Sequence, residues 1–188
     1  MKLIRKYKYL FSLLAIIFMV TTCMTIEEII HPDDAKVDSD IEIAVRIKIV
    51  AETDGNSKLA FGILMPKAWN VKENATLTLT TQADFAGNRV TDEPMVLMSS
   101  SDRNPSDGLP WAGSFQSRFG VLGNTGPVEW VVFKSATTFQ IHDQIPSQKV
   151  VEGVVKIKVR TGSRAVKFNA GYTFCGEAFG FNGEKYPG

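Results

Sequence analysis

From Ile41 the chain alternates. Ile41, Ile43, Val45, Ile47 and Ile49 fall on one side, with Glu42, Arg46 and Lys48 on the other. This is the period of two that a half-buried strand requires, whereas a helix repeats its apolar residues at three and four. The period returns at Leu59, Phe61, Ile63 and Met65, a run that Pro66 ends, and at Ala75, Leu77 and Leu79, whose neighbours Thr76, Thr78 and Thr80 make a β-branched polar face. Between the first two runs, Thr53-Asp54-Gly55-Asn56 reads as a hairpin turn, since Asp-Gly reaches positive φ cheaply. A shorter strand is expected over 93–100. Residues 128–134 are apolar on both sides, as a central strand must be, and another strand follows over 137–142. Last, Val155, Ile157 and Val159 alternate with Lys156, Lys158 and Arg160. The chain is expected to turn at Thr161-Gly162-Ser163-Arg164 and return as an inward row of Val166, Phe168, Ala170, Tyr172 and Phe174.

About eight short strands separated by turns, with no long helix, predict an all-β fold. The expected form is an antiparallel two-sheet sandwich of immunoglobulin-like or related Greek-key topology over 41–188, with an open jelly roll as the alternative. No internal repeat is visible. One long stretch, 99–127, is rich in Gly, Ser, Asn and Pro and breaks the pattern. Loops of that length in a compact domain are often functional or partly structured. Trp111, Phe115 and Phe119 stand at i, i+4 and i+8, so a short helix would align three rings on one face. The end of the chain, 180–188, reads as a loop leading onward, as if a closing strand or further module belonged after it.

The start of the chain follows another logic. Lys2, Arg5, Lys6 and Lys8 precede an apolar run over 9–20, and Thr21-Thr22 leads into Cys23. Residues 1–22 read as a secretory signal, set apart from the fold. A cysteine in this place resembles the lipobox of bacterial lipoproteins, although Val20 stands where Leu is commonest and Thr22 where Gly, Ala or Ser is usual. The resemblance implies lipid attachment at Cys23. Residues 23–40, with six acids and Pro32, then read as an acidic tether. The pair Glu27-Glu28 resembles the export signal that takes lipoproteins of the Bacteroidetes to the cell surface. The expected location is the cell envelope, on an outer membrane and facing outward.

Removing the signal changes the charge. The whole chain is near neutral, but the mature part carries 17 Lys and Arg against 20 Asp and Glu. A mildly acidic domain without a basic stripe is not a nucleic-acid binder. Its 166 residues suffice for one domain with a substantial core. With Cys23 acylated, Cys175 has no partner in the chain and reads as a half-buried free thiol. A Cys23–Cys175 disulfide belongs only to the alternative in which Cys23 is not acylated. Paired metal-ligand spacings are missing, so neither a structural zinc site nor any cofactor is expected.

Catalytic signatures are equally sparse. There is no G-x-S-x-G elbow; Ser114 follows Gly113 directly. His31 lies in the tether, and His142 beside Asp143 is the one histidine placed to act as a base. Asp102 and Asp107 are the carboxylate pair a glycosidase would need, but loop carboxylates are ordinarily solvated. Asp38, Asp40 and Glu42, or Asp54 with Asn56, offer hard oxygens for calcium; a solvated lead-in to the first strand explains them better. The most suggestive group is aromatic: Trp69, Trp111, Phe115, Phe119 and Tyr186. Trp111 with Trp69 could form a shallow platform for sugar rings, with Asn104, Asp107, Gln116 and Asn124 reading hydroxyls. The same rings could instead cap the open end of the sandwich. Trp130 reads as core.

The runs HPDDAKVDSDIEIAVRIKIVAETDGNSKLAFGILMPKAWNV, GVLGNTGPVEWVVFKS and VKFNAGYTFCGEAFGFNGEKY resemble a family of uncharacterised lipoprotein domains of gut Bacteroidetes. The resemblance covers nearly the whole mature chain. It implies an outward-facing β-domain and supplies no functional residues. The sequence therefore points to a lipid-anchored, non-catalytic binding domain, with a glycan as the leading ligand. The alternative is an interaction domain that positions a partner protein. Exposed loop aromatics would favour the first, and buried ones, with apolar side chains exposed at a strand edge, the second.

Overall fold

A computed structural model describes residues 24–32, 34–50, 55–80, 90–141, 150–176 and 185–187. Its elements are β1 (Met24–Ile30), β2 (Asp40–Val50), β3 (Gly55–Ser57), β4 (Leu59–Pro66), β5 (Asn70–Val71), β6 (Ala75–Leu79), β7 (Glu93–Leu97), α1 (Trp111–Phe119), β8 (Val128–Ser135), β9 (Phe139–Ile141), β10 (Val150–Arg160), β11 (Gly171–Gly176) and β12 (Lys185–Pro187). The all-β expectation holds.

The expected two sheets are one. Ten strands form a single antiparallel sheet in the order β1-β2-β10-β6-β7-β8-β4-β11-β12, with β5 beside β6 on β10. A separate ribbon pairs β3 with β9. β1 comes up against β11, so the sheet curls until it is nearly a barrel. Curling leaves one face inside. There Ile43, Val45, Ile47 and Ile49 of β2 meet Phe61 and Ile63 of β4, Leu77 and Leu79 of β6, Val155 and Ile157 of β10, and Phe174 of β11, all buried. Each such aliphatic or aromatic side chain contributes roughly 1.5–3 kcal/mol through burial.

Three connections differ from the sequence expectation. β2 and β4 do not form a hairpin across 53–56: β2 lies between β1 and β10, and β4 between β8 and β11. Nor do β10 and β11 pair, because β10 already has β2 along its whole length and β5 and β6 on its other edge. The chain therefore leaves the sheet after Arg160 and re-enters at Gly171, and Val166 is 49% exposed instead of buried. Finally, part of the expected tether is strand: β1 pairs with β2 from Met24 to Ile30 and buries Ile26. A register shift between Ile26 and Glu28 puts Ile26 and Ile29, three apart, against the same core, which hides the period of two. Residues 1–23, including Cys23, lie outside the described residues, as do Asp54, His142 with Asp143, and 177–184.

Where strands are covered on both faces, a helix does the covering. β4 and β11 are buried throughout. On their outer side Ala60, Leu64, Trp130, Val132 and Cys175 meet Trp111 and Phe115 of α1. Gly62 makes the seat: a Cβ there would run into the Phe115 ring. The Trp130 indole N–H donates to the carbonyl of Gly120, which ends the helix at φ +65°. The predicted alignment of Trp111, Phe115 and Phe119 on a short helix is thus present, and its rings face the sheet.

On the uncovered side, the outer faces of β1, β2 and β10 carry crossed charges. Arg46 meets Glu28 at 3.1 Å, Lys158 meets Glu73 at 2.6 Å, and Arg160 meets Asp40 at 3.2 Å. Exposed pairs of this kind are worth about 0–1 kcal/mol each and mainly keep the face solvated.

Candidate functional site: a cleft at one end of the barrel

The detour between β10 and β11 opens a cleft of about 660 Å³. One wall is 31–32 with 34–37, from the link between β1 and β2; the other is 161–170. They are tied at one point. Thr161 Oγ1 donates to the Lys36 carbonyl at 2.6 Å, and its N–H bonds the Ser39 carbonyl at 2.9 Å. Asp38, at φ +51°, turns the chain there and donates its N–H to the Gly162 carbonyl at 3.1 Å. Beyond that clasp the walls separate.

The cleft is aromatic and aliphatic within and basic at the rim. Ile43, Ile63, Met65 and Tyr172 form a buried floor, and the His31 ring stacks over Tyr172 at 6.1 Å. Half-buried Trp69 meets Phe168 edge-on at 5.1 Å. Val37, 45% exposed, and Val166 sit on opposite walls. Lys36, Arg164 and Lys167 are exposed around them, and Asp34 is the one acid among the described lining residues. None of the three cations makes an ion pair with a described residue, unlike Arg46, Lys48, Lys72, Lys156, Lys158 and Arg160 on the sheet face.

The residues singled out from sequence do not assemble as a sugar platform. Trp111 is 2% exposed beneath its own loop, with Lys134 Nζ 5.8 Å from its ring centre, so neither face is open for stacking. Its indole N–H and the Thr173 hydroxyl are buried without hydrogen-bond partners. Asn104, also buried, accepts the Ser106 N–H, and its carbonyl takes the Gly108 N–H. Asp107 accepts from the Ser114 hydroxyl at 2.8 Å and from the Leu109 N–H at 2.9 Å, which fixes the entry to α1. Asn124 staples the loop to Asn169 through both its amide atoms. Gln116 is exposed on α1, away from the rings. Among the described side chains of the set, Trp69 alone lines the cleft; that of Tyr186 lies outside them.

The acidic candidates have structural partners as well. Asp102 accepts from both the N–H and the hydroxyl of Ser99, which hold its carboxyl below the usual range. Asp40 faces Arg160 and Lys72, and Glu42 faces Lys156. No group of three or more metal-ligating side chains occurs among the described residues. No helix among them is long and apolar enough to cross a membrane.

Sequence reading missed the cleft because it assigned one wall to a tether and the other to a strand. The available signal was Arg164 and Lys167 interleaved with Val166 and Phe168, a stretch whose alternation has no strand partner to serve.

A family profile described as a domain of unknown function, DUF4961, matches residues 24–187, beginning at the first residue of β1. The chain belongs to this family. No curated protein matches. Among solved structures, the full-length RrgB pilus protein of Streptococcus pneumoniae is similar at TM-score 0.39 and 9% identity. That match covers 81% of this chain and 22% of the pilus protein's length. The collagen-binding subdomain of the Enterococcus faecalis surface protein ACE is similar at TM-score 0.32 and 6% identity, over 86% of this chain and 91% of the subdomain.

Proposed function

We propose that this domain is a non-catalytic interaction module, exported and held at the cell envelope through Cys23, that docks a partner protein in the cleft lined by 34–37 and 161–170. One observation carries the reading. The loop aromatics are spent on packing α1 against the sheet, while Val37 and Val166 stand exposed on facing walls of an open cleft. Apolar side chains gathered at a concave, polar-rimmed site mark places where partners bind. The sugar-binding reading retains Trp69, whose half-buried ring lines the same cleft, but the Ile43, Ile63 and Met65 part of the floor offers sugar hydroxyls no partners.

The test is site-specific photo-crosslinking in the native host, with the reactive residue at position 166 and, as a control, at position 156 on the charged sheet face. Adducts from 166 and none from 156 are expected. Equal adducts from both positions, or none from 166, would overturn docking at the cleft. Attachment is read separately: Cys23→Ala should release the protein from the membrane fraction, and mature protein without a fatty-acid mass increment would refute it.

A further inference from the structure

We infer that the docking element is an extended segment alternating acidic and apolar residues, laid along 165–168 as an added strand. This rests on the docking reading above and specifies its chemistry.

The first support is the backbone. Between 163 and 168 no main-chain N–H or C=O bonds a described residue, although the flanking Gly162 and Asn169 both do. From 165 to 170 the chain runs without helix, turn or bend. Residues 165–168, unbent, largely exposed and without main-chain partners among the described residues, can hydrogen-bond an incoming strand as a sheet edge does. The second support is charge. Lys36, Arg164 and Lys167 surround the cleft without ion-pair partners among the described residues, and among the described lining residues Asp34 alone is acidic, against these three cations. An occupant bearing carboxylates completes pairs that the sheet face completes internally, and repulsion disfavours a basic one. The third is shape. Val37, Val166 and Trp69 present apolar surface between those cations. A strand whose alternate side chains are acidic and aliphatic meets both at once.

The probe is a fluorescein-labelled synthetic peptide, Glu-Val-Asp-Val-Glu-Ile-Asp, titrated into the folded domain by anisotropy and mapped by amide chemical shifts. Shifts are expected at 34–37 and 161–170. Replacing the acids by Lys, or methylating alternate peptide nitrogens, should weaken binding by about tenfold or more, since one removes charge pairing and the other strand bonding. Raising salt from about 50 to about 300 mM should weaken the acidic peptide several-fold, because the pairs are exposed. Arg164→Glu with Lys167→Glu should invert the preference between acidic and basic peptides. Both side chains are exposed; should that variant misfold, the peptide-charge and salt series on the unaltered domain decide. Equal affinity for acidic and basic peptides, indifference to N-methylation, or shifts confined to other surfaces would each overturn the inference. Crosslinks at 166 without peptide binding would overturn the strand chemistry alone, and silence in both experiments would overturn the docking reading too.

Discussion

Phe115 is the residue on which the helix side of the molecule turns. It is wholly buried, touches the rings of Trp111, Phe119 and Trp130, and occupies the space over Gly62. Phe115→Ala should destabilise the fold by about 3–5 kcal/mol in urea unfolding. Gly62→Ala should destabilise it as well, because the ring must move. Val166→Ala, at an exposed position, should stay within about 0.5 kcal/mol. Cys175 makes a different test. Burial pushes its thiol from 9.0 up to about 12, against a smaller opposing pull from Arg118. The unfolded thiol therefore ionises first, so the contribution of Cys175 to stability is level below about pH 9 and falls above it. Burial shifts Tyr172 in the same direction. Cys175→Ala should flatten the alkaline fall of Tm, and native protein should leave a thiol reagent unreacted at pH near 8. An unchanged slope would mean that water reaches the thiol.

At the scale of elements, stability should be graded. β10 is paired on both edges and β4 is buried on both faces, whereas 163–168 has no main-chain bonds to described residues. Hydrogen exchange followed by mass spectrometry should find β10 and β4 slowest and 163–168 among the fastest. Uniform protection across these segments would contradict the hydrogen-bond pattern. The same contrast explains what sequence could show. Strands with one wet face and one dry face were legible, since alternation records a local environment: β2, β6 and β10 are of this kind. Double-sided burial made β8 legible too, and ring spacing revealed α1. Pairing was not legible. β10 joins β2 across 99 intervening residues, and nothing in either run names the other. A bulge erased the period of β1, and Val166 to Ala170 keeps a strand's alternation while lying outside the sheet.

For the molecule as a whole, the boundary of the folding unit matters most. β1 covers an edge of β2, contributes buried Ile26, and approaches β11 where the sheet nearly closes. A chain starting at residue 24 should fold cooperatively. One starting at 41, where the alternation begins, should lose Tm by well over ten degrees or associate through the bared edge; an unchanged melting curve would return 24–40 to the status of a tether. The site was less legible than the fold for the same reason. Its two walls are distant in sequence and meet only because β2, β4, β10 and β11 share one end of the barrel.

The three tryptophans fall into two optical environments. Trp111 and Trp130 are sealed between α1 and the sheet, while Trp69 stands in the cleft. Acrylamide should therefore quench a minor, red-shifted fraction of the emission, and Trp69→Phe should abolish it. An occupant of the cleft should shield that fraction and leave the rest of the spectrum unchanged. Loosening of α1 would instead shift the blue component. The protein thus carries its own two-channel indicator, able to separate occupancy from unfolding without any attached dye.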